Sequence, residues 1–420
     1  MTLFHKIFST MREAQNQIVV GKSSHVAIEK RSRILALIAI VFVALNLRAA
    51  MTAPSAVFDQ IKESISISDT ARSIIGMLPP VSFALFGWLA PRLVVKHGLE
   101  KPILFSLGMI IFGILGRSFS NSVWIYALCS IFCLGGIGIC NVLLPPIIKY
   151  HFPNQIGLIT SIYTSIIYLS AGLPSFVAVP LTNAVGWRVS TGSWALLAII
   201  AVIPWLFIQK GVQPNPEEQG RTKLPVGRWS VAWAIMIVFS IGAFNSFAML
   251  AWLPEILTKS FNIAQADSGR LMSMFSFIGF FPTIFVPIVL TRFKKPWFVV
   301  LFFSLCIIIA NLGFLFLPQF AVIWIAAAGT GLTFISVGLT LINLRSRTKF
   351  GSASLSGFVQ GGGYLLSALG PVTVGWLHEL TGGWAASLWL LAGTGVLALV
   401  MGLLALKPVY LEDYAKETIG

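Results

Sequence analysis

Long apolar stretches alternate with short polar connections from Ile34 to Leu406. Twelve of these stretches come near the ~20 residues that an α-helix needs to cross a lipid bilayer. They cover residues 34–57, 71–94, 102–118, 122–148, 156–181, 191–209, 229–255, 268–291, 297–317, 319–343, 353–377 and 384–406. Backbone polar groups must be satisfied internally in hydrocarbon, and the stretches lack the alternation of barrel strands. The pattern therefore predicts an all-α membrane protein with twelve transmembrane helices.

Residues of the first half recur in the second half at a fixed spacing. Six of them, Ser170, Ala171, Pro174, Gly186, Trp187 and Ser190, reappear 197 residues later as Ser367, Ala368, Pro371, Gly383, Trp384 and Ser387. Another three, Met51, Asp69 and Arg72, reappear 198 residues later as Met249, Asp267 and Arg270. Such a repeat predicts two pseudo-symmetric six-helix bundles, and many membrane transporters place a substrate site between such halves.

The polar segments set the expected domain boundaries. We expect an N-terminal tail at 1–33, a first six-helix bundle at 34–209, a second at 229–407 and a C-terminal tail at 408–420. Residues 210–228 contain Pro214, Pro216 and Pro225 among mixed charges, which is typical of a linker.

The net charge of +15 invites a nucleic-acid interpretation, but the position of the charges argues against it. On the predicted topology 22 of the 29 lysines and arginines lie on one side, and six, Arg117 among them, lie on the other. This asymmetry is the positive-inside rule. It predicts a multi-pass protein of a bacterial cytoplasmic membrane with both termini in the cytoplasm. The lipid bilayer is the expected partner, nucleic acid is not, and we expect a monomer.

Acidic groups are scarce in the predicted spans. Only Asp59, Glu255 and Glu379 approach them, all at the outer ends. The sequence also lacks a catalytic or metal-binding motif, and the four cysteines indicate no disulfide. We therefore expect no enzyme, no cofactor and no metal. Asp59 and Glu255 are the candidate groups for coupling to protons, with local pairing to loop lysines as the alternative.

Arg48 is the one basic residue predicted deep inside a span, away from its ends. It lies roughly 21 Å along the first helix, where a charge is costly unless it faces a cavity or a partner. A guanidinium there favours an anionic or electron-rich ligand, which it can grip with two hydrogen bonds. The alternative is that Arg48 caps carbonyls of a broken helix or extends towards the outer surface.

Other polar side chains could line the same cavity or could bond to neighbouring helices. The candidates for substrate binding besides Arg48 are Asn46, Asn141, Asn245, Trp252, Gln360 and Tyr364. Lys149 and Arg345 end the fourth and tenth helices and are candidates for gating; the alternative is that they complement helix dipoles and anionic lipid.

Short motifs spread from residue 34 to 406 resemble those of the major facilitator superfamily, and within it the CynX/NimT family of bacterial small-solute transporters. They are Asn46-Leu47-Arg48, Gly136-Ile137-Gly138, Asn141-Val142-Leu143-Leu144-Pro145, Trp252-Leu253-Pro254, Leu344-Arg345-Ser346-Arg347 and the run from Tyr364 to Pro371. One feature departs from the superfamily, because the connection after the second span lacks its usual acid and carries Pro91-Arg92.

The resemblance implies the superfamily fold and a secondary transporter for a small, polar, planar solute such as cyanate or a nitroimidazole. Alternating access would rock the two bundles about a central site, with protons as a candidate coupling ion. The rival interpretations are a multidrug exporter and a membrane sensor that no longer transports. Neither the solute nor the direction of transport follows from the sequence.

Overall fold

The computed structural model describes residues 33–67, 69–208, 224, 226–260, 271–272, 274–275 and 277–414. These residues are almost entirely helical, and the described part of the chain contains no β-strand. The predicted N-terminal tail, most of the linker and the repeat mates Asp267 and Arg270 lie outside the described residues. The predicted domain boundaries therefore stay predictions.

The first half consists of a short helix and six long ones. The helices are α1 (Arg33–Ala56), α2 (Phe58–Ile65), α3 (Asp69–His97), α4 (Glu100–Ser118), α5 (Val123–His151), α6 (Ile156–Gly192) and α7 (Ala195–Phe207). The short helix α2 was not predicted. Gly186 adopts a φ of 82° inside α6, a conformation that favours glycine, and this break separates the fifth predicted span from the sixth.

The second half contains eight described helices, because two of its predicted spans are interrupted. They are α8 (Ser230–Glu255), α9 (Phe280–Arg292), α10 (Trp297–Phe316), α11 (Ala321–Thr330), α12 (Thr333–Leu344), α13 (Lys349–Ser367), α14 (Leu369–Thr381) and α15 (Ala385–Ala405). The tenth predicted span is broken between α11 and α12, and the eleventh between α13 and α14.

Ten helical stretches of the described residues are long and apolar enough to cross a membrane, and α9 is a shorter apolar helix. Together with α13 and α14 they account for all twelve predicted spans. We call the end of the bundle where α1 begins and α15 ends the terminal end, and the opposite end the far end.

Repeat mates make matching hydrogen bonds in the two halves. The Ser170 hydroxyl donates to the Ile167 carbonyl, and its mate Ser367 donates to the Tyr364 carbonyl, three residues back in each case. Asn46 also bonds α1 to α7 through the Leu197 carbonyl, as Asn245 bonds α8 to α15 through the Thr394 hydroxyl. The sequence repeat is therefore expressed in the packing of each half.

Buried side chains show how the halves meet. One core runs through the first half and continues into the terminal end of the second, so the halves share a core there. Towards the far end each half has a core of its own, built around Trp187 in the first half and its mate Trp384 in the second. The described packing therefore joins the halves at the terminal end, and towards the far end Tyr168 of the first half packs against the core of the second.

Candidate functional site

Three side chains from different helices lie at one depth in the bundle. Arg48, Phe83 and Tyr364 are each about 21–22 Å from the terminal end, at 1.5 Å per helical residue. The Arg48 guanidinium lies over the Phe83 ring, with its central carbon 5.8 Å from the ring centre. Tyr364 meets Phe83 edge to face at 5.1 Å between ring centres. Phe83 belongs to the first half and Tyr364 to the second, so the group bridges the halves.

Tyr168 on α6 completes the group. It is half-buried, and its hydroxyl is close enough to Arg48 and Tyr364 for electrostatic interaction with both. Neither Tyr168 nor Phe83 was among the predicted site residues. Helical spacing on α6 could have singled out Tyr168, but its proximity to Arg48 depends on the packing of α6 beside α1.

Arg48 has no hydrogen-bond partner among the described residues for its buried Nη1 atom. Arg48 makes a cation–π contact with Phe83, and Tyr168 is near enough to interact with it electrostatically. A buried guanidinium nitrogen without an acceptor is rare, because each unmade charged hydrogen bond carries a desolvation cost. The arrangement leaves donors available to an acceptor-rich ligand.

Asn141 presents a second unused donor. Its Nδ2 atom is buried and has no hydrogen-bond partner in the described part of the chain, whereas its backbone carbonyl accepts a hydrogen bond of 3.0 Å from Gln360 Nε2 in the second half. Gln360 lies one helical turn before Tyr364 on α13, and its Nε2 also donates to the Ser356 hydroxyl at 2.8 Å. Gln360 thus ties Asn141 to the helix that carries Tyr364.

The carbonyl that Gln360 contacts is free because of a proline. Pro145, four residues after Asn141, has no N–H to complete the helical hydrogen bond. Pro146 frees the Val142 carbonyl in the same way, and the Ser356 hydroxyl donates to it at 2.7 Å. The adjacent prolines of α5 therefore expose two acceptors that α13 of the other half satisfies, as proline-containing helices require at membrane depth.

Lys149 makes a similar contact nearer the terminal end. Its Nζ donates to the Asn343 carbonyl at 2.6 Å and to the Ser346 carbonyl, at the C-terminal end of α12 in the other half. Carbonyls there lack helical partners and carry the negative end of the helix dipole. Lys149 therefore joins the two halves.

Arg345 donates its side-chain hydrogen bonds within the second half. Its side chain donates to the Ala405 and Leu406 carbonyls at 3.1 and 2.7 Å, where α15 ends. Burial lowers the pKa of Arg345, with Tyr410 opposing the shift. These bonds stay inside one half and cap α15.

Three predicted binding residues have their donors occupied inside their own half. Asn46 donates to the Phe42 and Leu197 carbonyls, and Asn245 to the Ile241 carbonyl and the Thr394 hydroxyl. Trp252 Nε1 donates to the Pro371 carbonyl at 2.7 Å. An amide or indole N–H in an apolar interior must find an acceptor, and a neighbouring helix supplied it. We therefore leave these residues out of the proposed site.

The predicted coupling residues lie away from the central group. Glu255 ends α8 at the far end and is half-buried. Asp59 belongs to α2, and its side chain lies outside the described residues. The described carboxylates are at helix ends or in connections: Glu63, Glu100, Glu255, Glu379, Glu412 and Asp413. Within the described residues, no three potential ligands gather at a point where they could hold a metal ion.

Comparison with known proteins gives consistent matches over most of the chain. The sequence profile of the Major Facilitator Superfamily matches residues 36–354. The chain is 32% identical over 357 residues to the uncharacterized transporter YycB of Bacillus subtilis (strain 168), covering 84% of this chain and 88% of the relative. It is 29% identical over 381 residues to the 2-nitroimidazole transporter of Escherichia coli (strain K12), covering 90% and 95%.

More distant relatives and solved structures also match most of the chain. The cyanate transport protein CynX of Escherichia coli (strain K12) is 22% identical over 377 residues, covering 89% of this chain and 97% of the relative. The structure of the proton:xylose symporter XylE bound to 6-bromo-6-deoxy-D-glucose has a TM-score of 0.74 at 14% identity, covering 93% of this chain and 99% of that one. The outward conformation of FucP has a TM-score of 0.64 at 10% identity, covering 88% and 98%. Both structures share the fold.

Proposed function

Because the chain belongs to the Major Facilitator Superfamily and is a multi-pass CynX/NimT-like membrane transporter, we propose that it carries a small planar anion by alternating access. Arg48 would be the main contact for the anion. The proposed location is a bacterial cytoplasmic membrane, with both termini in the cytoplasm, and the proposed working unit is a monomer. The predicted bundles at 34–209 and 229–407 would be the moving parts.

The observation that carries the proposal is the buried Nη1 atom of Arg48, which has no hydrogen-bond partner among the described residues. It sits deep in a described interior where no carboxylate is available to neutralise it. A cation in that position is costly unless a ligand compensates it. An anion that accepts two hydrogen bonds from one guanidinium fits this requirement better than a cation does. This also counts against a multidrug exporter of large cations.

The preference for a planar solute rests on the rings around Arg48. Phe83 and Tyr364 are mutually edge to face, and Tyr364 also meets Phe239 edge to face at 5.1 Å. The rings are buried, so they would offer faces and edges to a flat ligand when the halves separate. The unpaired Asn141 Nδ2 would add a second donor, so the proposed binding residues are Arg48, Asn141, Phe83, Tyr168 and Tyr364. Gln360 would hold Asn141 in place.

The gate that we propose lies at the terminal end. Lys149, Ser356 and Gln360 all bond across the halves to carbonyls that lack a helical partner. Water can replace such bonds when the halves separate, so the contact is reversible at modest cost. Asp59 and Glu255 would stand at the far end, where coupling to protons is open to test. Direction of transport is not part of the proposal.

Ligand binding tests the proposal directly. 2-Nitroimidazole loses its ring proton at alkaline pH, whereas 1-methyl-2-nitroimidazole has no proton to lose and stays neutral. Purified protein should be stabilised thermally by 2-nitroimidazole, increasingly as the pH rises and the anion forms. Cyanate should stabilise it as well. Equal stabilisation by the methylated compound would show that the site does not require an anion.

A further inference from the structure

Arg117 is a buried cation that lies outside the proposed site. It belongs to the last turn of α4 and is 6% exposed. One of its Nη atoms donates to the backbone carbonyl of Ala50 on α1 at 2.8 Å and lies 3.7 Å from the sulfur of Cys133. The sequence had placed Arg117 among the basic residues facing the outer surface. The fold turns it inward instead, towards α1.

The Ala50 carbonyl is available because of Pro54. Helix α1 continues to Ala56, but Pro54 has no N–H with which to complete the bond from the residue four positions earlier. An unmet carbonyl inside a bundle would be costly, and Arg117 meets it with a charge-assisted hydrogen bond. Arg117 therefore supplies the Ala50 carbonyl with the hydrogen bond that Pro54 cannot donate.

That turn follows Arg48 directly. Ala50 is two residues after Arg48, and the Arg48 carbonyl itself accepts a hydrogen bond of 3.1 Å from the Thr52 hydroxyl. Side-chain bonds to helical carbonyls at a proline fix how far the helix bends there. Arg48 therefore lies next to this bend.

We propose that Arg117 is a positioning residue for the anion site: through the Ala50 carbonyl it holds α1 in the conformation that aims Arg48 at the solute. The inference rests on the proposed role of Arg48. A different role for Arg117 would be to add positive charge near the site without fixing the backbone, and the experiment separates the two.

The experiment is a double-mutant cycle between Arg117 and Pro54. Pro54→Ala returns an N–H to the helix, so that the Ala50 carbonyl no longer needs Arg117. We would measure KM and maximal rate for 2-nitroimidazole uptake into proteoliposomes at alkaline pH. Arg117→Gln should raise KM by about tenfold in the wild-type background. In the Pro54→Ala background the same change should raise KM by no more than about threefold, because coupled sites are not additive.

An equal rise in KM in both backgrounds would overturn the inference in favour of a charge effect, and an unchanged KM would overturn it outright. Arg117→Lys decides the same question if the Arg117→Gln or the Pro54→Ala variant is not recovered folded. It keeps the charge but has a shorter reach and no fork. A raised KM for Arg117→Lys supports positioning, and a wild-type KM contradicts it.

Arg48→Gln separates this inference from the proposed function. If Arg48→Gln leaves binding of the 2-nitroimidazole anion intact, the proposed function fails. If Arg48→Gln abolishes binding while Arg117→Gln leaves KM unchanged, only the positioning role fails.

Discussion

Removing the Lys149 ammonium should shift the balance between the two orientations of the transporter. Lys149→Met keeps most of the apolar length of the side chain and deletes its hydrogen bonds to the Asn343 and Ser346 carbonyls. Those bonds join the halves at the terminal end. Their loss should destabilise the arrangement in which that end is closed and leave each half intact.

The expected size of the shift follows from the contacts. A hydrogen bond from a charged donor contributes roughly 1.5–3 kcal/mol, and burying the ammonium offsets part of the gain from two such bonds. A net loss of about 2 kcal/mol corresponds to a change of about 30-fold in the equilibrium between the orientations.

Distances between spin labels would measure the shift. Lys96 on α3 and Lys295 between α9 and α10 are exposed at the terminal end of different halves. In a background without the four native cysteines, labels at these positions should show a longer distance in a larger fraction of Lys149→Met molecules. Lys101→Met is the matched control, because Lys101 is exposed at the start of α4. An unchanged distance distribution in Lys149→Met would refute the assignment of Lys149 as a latch.

Three further outcomes are expected. Gly357→Ala should reduce the population with a closed terminal end by about tenfold, because the new Cβ would overlap the Pro91 ring of the other half. Gly108→Ala is the control in the same label experiment, because a Cβ there meets nothing within 4 Å. Asn46→Ala and Asn245→Ala should each lower the Tm by roughly 2–4 °C and leave the affinity for 2-nitroimidazole unchanged, because each loses hydrogen bonds inside one half. A weaker affinity in either variant would show that the asparagine belongs to the binding site. An imposed pH gradient should affect uptake equally in wild type and in Asp59→Asn/Glu255→Gln; accumulation that disappears in the double variant would identify these acids as the coupling site.

The sequence predicted the fold because lipid restricts the options. Twelve apolar stretches and a 197-residue repeat predicted an all-α protein of two six-helix bundles, and the short motifs indicated the superfamily. The comparisons confirmed the fold and the family. The break inside the tenth span was not predicted, and it falls at Gly331, which carries no signal that distinguishes it from the other glycines of that span. The break inside the eleventh span falls at Ala368, and Pro371 gives it a signal in the sequence, because this proline has no N–H for the Ser367 carbonyl.

The central group could be predicted only in part. Arg48 stood out because a charge in an apolar run is rare, and the sequence also named Asn141, Gln360 and Tyr364. It could not show that Asn46, two residues from Arg48, would bond to α7, because that depends on which helix lies beside it. Tyr168 was missed for the same reason. Arg117 was predicted to face the outer surface, because the sequence does not show that the Ala50 carbonyl, which Pro54 leaves without a helical partner, lies within its reach.

Counterflow of 2-nitroimidazole by Arg48 variants tests the central claim most directly. Proteoliposomes loaded with the unlabelled anion would be supplied with labelled anion at alkaline pH, and exchange would be compared among wild type, Arg48→Lys and Arg48→Ala, with folding checked by size-exclusion chromatography. We predict that Arg48→Ala reduces exchange by at least about 100-fold, the loss expected when a buried charged hydrogen-bond pair is removed. Arg48→Lys should recover only part of the rate, because its ammonium lacks the planar fork. Near-normal exchange by a folded Arg48→Ala would contradict the account.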